Sequence, residues 1–141
     1  MNILIVEARY HAVITDALVD GATRGLELGG ARFERAAVAG ALEIPAAIAL
    51  AARAHRFDGY VALGSVVGTG TYFSLIVQNS FLGLTRLGAD HGLCIGNGII
   101  AAPSEDEALR LAHVSDGDVG GDAARACLGL VALAQRMAGQ S

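Results

Sequence analysis

Short apolar runs alternate along this chain with longer stretches of helical periodicity. Residues 2–6 (NILIV) and 60–64 (YVALG) have the length and composition of buried strands, and residues 33–38 and 93–99 are weaker strand candidates. Helices are predicted at residues 11–28, 45–55, 71–87, 104–113 and 122–137, with a polar, glycine-rich loop at 116–121. This alternation predicts an α/β sandwich with a mainly parallel four-stranded sheet and helices on both faces.

Residues 59–85 contain no charged side chain. Three explanations compete: a membrane span, a buried strand and helix beside a ligand site, or a self-association surface. A spanning helix needs about 20 mostly apolar residues. Glycines, threonines, serines and amides interrupt this window, which disfavours the membrane span and leaves the other two explanations open.

Composition narrows the class of protein. The 141 residues are expected to form one domain, residues 1–141. All ten basic residues are arginines, the formal net charge is −4, and no basic patch for nucleic acid is expected. Cys94 and Cys127 lie in apolar segments without metal-ligand or redox spacing. The first residues do not resemble a signal peptide, so a cytoplasmic location is expected.

Four segments are predicted to meet at the carboxyl ends of the strands, where such folds bind ligands: residues 7–11, 39–45, 65–71 and 97–103. In the third segment, Thr69, Gly70 and Thr71 precede a helix and resemble an anion cradle, with phosphate the natural ligand. The chain has no lysine for a Walker A loop, and Phe73 occupies the third glycine position of a dinucleotide fingerprint. A tight turn without a ligand is the alternative.

Other residues of these segments are open to two interpretations. Glu43 suits hydrogen bonds from sugar hydroxyls, or it complements a helix dipole. Tyr10 suits stacking on a flat ring, or it packs. His11 is a candidate catalytic base, although a solvent-facing histidine at a helix start is more common. The remaining histidines show no metal-ligand spacing, and no nucleophile triad can be assembled.

Together the segments resemble the lumazine synthase family of riboflavin biosynthesis. ILIVEARYH, VAGALEIPAAI, FDGYVALGSVV, GLCIGNGII and VSDGDVGGDAA follow one another at that family's spacing. The resemblance implies a flavodoxin-like three-layer α/β/α sandwich, assembled as a homopentamer or a larger icosahedral shell. It also implies a transferase that condenses 5-amino-6-ribitylamino-pyrimidinedione with 3,4-dihydroxy-2-butanone 4-phosphate, without metal or organic cofactor.

The resemblance assigns roles by position. Tyr10 would stack on the pyrimidine with His11 beside it, Ala41, Leu42 and Glu43 would hold the ribityl chain, and Asn97 would end strand four near the ring. The ring would also meet the backbone of Ser65, Val66 and Val67. Thr69, Gly70 and Thr71 would bind phosphate.

The chain departs from the family pattern at the positions expected to carry the chemistry. Gly68 stands where an arginine is expected, Phe73 where the proton-transferring histidine is, and Leu111 where a phosphate-binding arginine is. Ser80 replaces a glutamate, Val119 replaces a lysine, and Asp122 lacks the histidine it would orient. No catalytic residue is therefore assigned, and two hypotheses stand: an attenuated synthase, or a non-catalytic assembly or flavin-binding protein.

Overall fold

The computed structural model of the protein describes residues 1–139. Its four strands are β1 (Asn2–Ala8), β2 (Arg32–Val38), β3 (Gly59–Val67) and β4 (Ile95–Ala102). Its helices are α1 (Ala12–Leu28), α2 (Ile44–Ala52), α3 (Gly70–His91), α4 (Glu105–Ala112) and α5 (Val119–Met137). A short 3-10 helix, Ala41–Glu43, precedes α2. Within the described residues, no helix is both long and apolar enough to cross a bilayer.

The sheet is parallel throughout, in the order β2-β1-β3-β4. β1 is central and pairs with β2 from Asn2 opposite Arg32 and with β3 from Ile3 opposite Gly59. β3 pairs in turn with β4. All four carboxyl ends therefore lie along one edge, which brings the loops after the strands together.

Two apolar cores fill the spaces on either side of the sheet. Ile3, Ile5 and Leu63 pack with α1, α4 and α5 on one face. Leu4, Val6 and other alternate strand residues pack with α2 and α3 on the opposite face. Alternation along each strand sends successive side chains to opposite faces. The predicted flavodoxin-like α/β/α sandwich is confirmed.

The start of α5 differs from the prediction. Asp118 has a positive φ of 48°, and its Oδ1 accepts a hydrogen bond from the backbone N–H of Gly121 at 3.2 Å. This side-chain cap starts the helix at Val119, so the last three residues of the predicted loop at 116–121 are helical.

Charged side chains brace the end of β1. Glu7 is 4% exposed, and its carboxylate accepts hydrogen bonds from Arg35 at 2.7 and 2.8 Å. Arg9 links Glu7 at 3.0 Å to Asp16 of α1 at 2.7 Å. Hydrogen bonding to Glu7 raises the pKa of Arg35. The network fixes the direction in which the chain leaves β1 toward Tyr10 and His11.

Candidate functional site

A cavity of about 410 Å³ opens at the carboxyl edge of the sheet. Its volume lies in the range of small-molecule sites. Three of the four predicted segments contribute to its wall, together with the first turns of α3. The lining residues are Tyr10 and His11, residues 40–43, residues 65–67, and Tyr72, Phe73 and Ile76.

Tyr10 and His11 occupy the turn between β1 and α1. Tyr10 is 80% exposed, so its ring is available to a ligand. The two rings pack edge to face with centroids 4.9 Å apart. The His11 side chain is only 20% exposed, and its Nδ1 lies 3.4 Å from Oε1 of Glu105 at the start of α4. His11 is therefore part of the cavity wall rather than a solvent-facing residue.

The second segment forms the 3-10 helix. Of its three residues, Ala41 is buried, whereas Leu42 and Glu43 are exposed and line the cavity. Oε1 of Glu43 accepts a hydrogen bond from the backbone N–H of Gly40 at 3.0 Å. One carboxylate oxygen thus closes the turn, and the other is left for a hydroxyl donor.

The end of β3 contributes Ser65, Val66 and Val67. Ser65 is 8% exposed, and its Oγ is buried without a hydrogen-bond partner among the described residues. Buried polar atoms are normally paired, so this oxygen, with less than 1 Å² of exposed surface, is an exception at the cavity wall.

The predicted phosphate turn lies at the rim of the cavity. Thr69 is the N-cap of α3, and Gly70 adopts a φ of +91° at the first position of the helix. Thr69, Gly70 and Thr71 are exposed, between lining residues Val67 and Tyr72. The turn presents helix N-terminal amides. Among the described residues, no arginine lines the cavity.

Asn97 does not end strand four, contrary to the expectation. It is the third residue of β4, opposite Ala62, and its Oδ1 accepts from the backbone N–H of Ile99 at 2.9 Å. Its side chain is exposed and is not among those lining the cavity. The glycines on either side of it lie where close packing leaves no room for a side chain, since a β-carbon on Gly96 would overlap the Ala123 carbonyl oxygen.

The departures in the last third of the chain lie outside the cavity wall. Leu111 is half-buried against the core beneath α1, α4 and α5. Val119 begins α5, and Asp122 accepts a hydrogen bond from Arg125 at 2.6 Å. Leu111 therefore has a packing role, and Asp122 is paired with Arg125.

The cysteines belong to the core. Cys94 and Cys127 are free thiols, and the Cys127 Sγ donates to the Cys94 carbonyl oxygen at 3.6 Å. Burial raises the pKa of both thiols, that of Cys127 to about 12. Residues 1–139 contain no group of three or more histidine, cysteine or acidic side chains placed to hold a metal.

The sequence matches proteins of one known family over nearly its whole length. The model of the family described as 6,7-dimethyl-8-ribityllumazine synthase matches residues 1–135. The chain belongs to that family. The 6,7-dimethyl-8-ribityllumazine synthase of Sphingopyxis alaskensis is 46% identical over 136 residues, 96% of each chain. That of Novosphingobium aromaticivorans is also 46% identical, over 94% of this chain and 96% of its own. A protein of Mesorhizobium japonicum named 6,7-dimethyl-8-ribityllumazine synthase 1 is 40% identical over 99% of this chain and 89% of its own.

Sequence reasoning missed two cavity residues on α3, Tyr72 and Ile76. The available signal was their helical spacing of four, which places them on one side of a helix that starts at the phosphate turn. Lumazine synthase family membership also directs attention to Phe73, which is half-buried in the cavity wall beside them.

Proposed function

We propose that this chain is a slow 6,7-dimethyl-8-ribityllumazine synthase of riboflavin biosynthesis. It condenses 5-amino-6-ribitylamino-pyrimidinedione with 3,4-dihydroxy-2-butanone 4-phosphate. The supporting observation is the cavity formed by Tyr10, residues 41–43 and residues 65–67 in a chain of this family. We further propose that residues 1–141 form one cytoplasmic domain.

Each part of the cavity suits one part of the substrates. The exposed Tyr10 ring offers a face for the pyrimidine, since flat rings stack on aromatic side chains. The free oxygen of Glu43 accepts from a ribityl hydroxyl, and the backbone beside Ser65 lines the ring. Amides and hydroxyls of residues 69–71 hold the phosphate at the start of α3.

The protein assists this condensation mainly by positioning the two substrates and by transferring protons. The amine attacks the ketone and expels water to form an imine, and phosphate then leaves by elimination. The second amine attacks the resulting ketone and expels a second water to close the ring. Holding two substrates in one cavity removes much of the entropic barrier to the first step.

The slow rate follows from what lines the cavity. The Phe73 ring cannot transfer a proton, and loss of a general acid or base costs about 10² to 10⁴ in rate. No arginine from the described residues reaches the wall, and loss of a charge-assisted phosphate contact costs about 1.5 to 3 kcal/mol.

A second candidate is a protein that binds lumazine or flavin, or only assembles, without turnover. The observation that favours it is the phenyl ring of Phe73 in the cavity wall together with the absence of a lining arginine among the described residues. A protein that binds lumazine or flavin would share the ligand chemistry of the synthase and differ from it in whether product forms.

We also propose self-association into a pentamer or a larger shell. The part of α3 before Arg86 has no charged side chain and carries exposed apolar side chains at Tyr72, Leu75 and Leu82. Edge strand β2 is mostly exposed. Sedimentation at micromolar concentration tests this proposal, and a stable monomer contradicts it.

Incubation of the chain with both substrates, followed by chromatography and mass analysis of the product, tests the activity. Formation of 6,7-dimethyl-8-ribityllumazine in proportion to protein supports the synthase. Binding of added lumazine or riboflavin without product formation supports the second candidate.

A further inference from the structure

His11 is the one histidine on the cavity wall among the described residues. The other lining side chains with ionisable groups are Tyr10, Glu43 and Tyr72. Histidine is the side-chain type that both accepts and releases protons most readily near neutral pH. A condensation with several proton transfers therefore has a candidate carrier in this cavity, at a position different from that of Phe73.

Contacts on both sides of the ring hold His11 in place. Nδ1 lies 3.4 Å from Oε1 of Glu105, the first residue of α4. The Tyr10 ring packs edge to face against the imidazole. The carboxylate therefore lies beside one ring nitrogen, as an orienting group would, and Nε2 is the nitrogen left for a ligand.

The charges around His11 favour a proton-accepting role. Glu105 contacts it from α4, Tyr10 from the same turn, and Glu43 lies elsewhere on the cavity wall. No arginine from the described residues lines the cavity to oppose a positive imidazole. An imidazolium formed during the reaction would therefore be stabilised by the adjacent carboxylate.

We propose that His11, oriented by Glu105, is the proton-transfer residue of the synthase reaction in this chain. The inference rests on the proposed function. After the imine forms, Nε2 takes the proton from the hydroxyl-bearing carbon next to it. The C–H electron pair becomes a C=C bond, and the C–O bond to phosphate breaks with its electrons leaving on phosphate. The imidazolium then donates this proton to the terminal carbon while the enol hydroxyl gives its proton to the departed phosphate. The enol thus becomes a ketone, and His11 is neutral again before ring closure.

The test compares kcat for lumazine formation in matched variants. His11→Asn keeps a residue that favours the N-cap position of α1, and we expect it to lower kcat by about 10². His113→Asn, an exposed histidine at the end of α4, is the control and should leave kcat unchanged. Added imidazole should restore part of the rate of His11→Asn, because it supplies the missing proton carrier.

Glu105→Gln tests the positioning residue separately. We expect kcat to fall several-fold with little change in KM, whereas Asp106→Asn, an exposed acid in the same helical turn, should have no effect. In a Phe73→His background, replacing His11 should cost less than in the original chain, because a second imidazole is then present in the cavity.

The outcomes separate the two proposals. Product formation that survives His11→Asn at full rate overturns the role of His11 and leaves the synthase proposal standing. Loss of rate that imidazole does not restore and Phe73→His does not relieve indicates a structural role and also overturns it. Failure of the unsubstituted chain to form product overturns the proposed function together with this inference.

Discussion

Gly68 lies beside the ring of Phe73: a β-carbon on Gly68 would be 4.0 Å from Phe73 Cδ2. These are two of the positions at which the chain departs from the family pattern. The two positions at which the resemblance predicts an arginine and a histidine therefore meet in space, at the junction of β3 and α3. Their effects on activity should be coupled, because residues in contact rarely act additively.

Phe73→His should raise the rate of lumazine formation. The half-buried ring already lines the cavity, so an imidazole placed there would reach the substrates. Adding a general acid or base should raise kcat by about 10². Steady-state kinetics with both substrates measures the change, with Phe81→His on the same helix as a control for stability effects. An unchanged kcat would show that proton transfer does not limit this enzyme.

Gly68→Arg should not raise the rate as Phe73→His should, because the backbone at position 68 disfavours a side chain. Gly68 has a φ of +147°, a conformation that residues with a β-carbon rarely adopt. We expect the substitution to lower the free energy of unfolding by about 1 to 3 kcal/mol. Urea denaturation of Gly68→Ala and Gly68→Arg measures this cost. If both variants retain full stability, the turn tolerates a side chain. Backbone conformation would then not explain why position 68 holds glycine instead of the expected arginine.

Two buried serines should respond oppositely to alanine. Ser65 Oγ has no partner among the described residues, whereas Ser80 Oγ donates to the Val77 carbonyl oxygen at 3.1 Å. Ser65→Ala should therefore leave stability unchanged or raise it by about 1 kcal/mol, and Ser80→Ala should lower it by a similar amount. If a ligand supplies the partner of Ser65, Ser65→Ala should also weaken lumazine binding about 3- to 10-fold. Denaturation and fluorescence titration test both effects, and equal losses of stability would contradict the assignment.

Stability should fall at alkaline pH, in part through Cys127. Burial raises the pKa of this thiol to about 12 in the folded chain, against about 8.5 in an unfolded one. Between these values the unfolded state loses a proton that the folded state keeps. The free energy of unfolding should thus decrease with rising pH by up to about 1.4 kcal/mol per unit. Cys127→Ala should show a flatter dependence between about pH 9 and 11, and parallel curves for the two proteins would contradict this origin.

The layers of the fold were predictable because their periodicities are strong. The alternation of β1, α1 and β3 is evident from apolar spacing alone, and parallel strands place their following loops at one edge. The extent of β4 was not predictable. Glycines such as Gly96 and Gly98 often mark the end of a strand. In this strand they are packing positions, because α5 and neighbouring residues approach too closely for a β-carbon.

The sequence predicts which loops form the candidate site. It does not predict which side chains contact one another there. The turn after β1 and the segments around residues 41–43 and 65–67 meet as expected. The approach of Glu105 to His11 joins two elements far apart in sequence, and no local pattern encodes it. The position of Leu111 in the core likewise depends on which way α4 rotates against α1 and α5.

One rate ratio distinguishes an attenuated synthase from a fully active or an inactive protein. Lumazine formation from saturating amounts of both substrates should be measured side by side for this chain and for the synthase of Sphingopyxis alaskensis, at equal protein concentration. We predict measurable turnover that is slower by about 10² to 10⁴, the cost typical of losing the histidine expected at position 73, which the proposed role of His11 offsets only in part. Equal rates, or no product at all from this chain, would contradict an attenuated synthase.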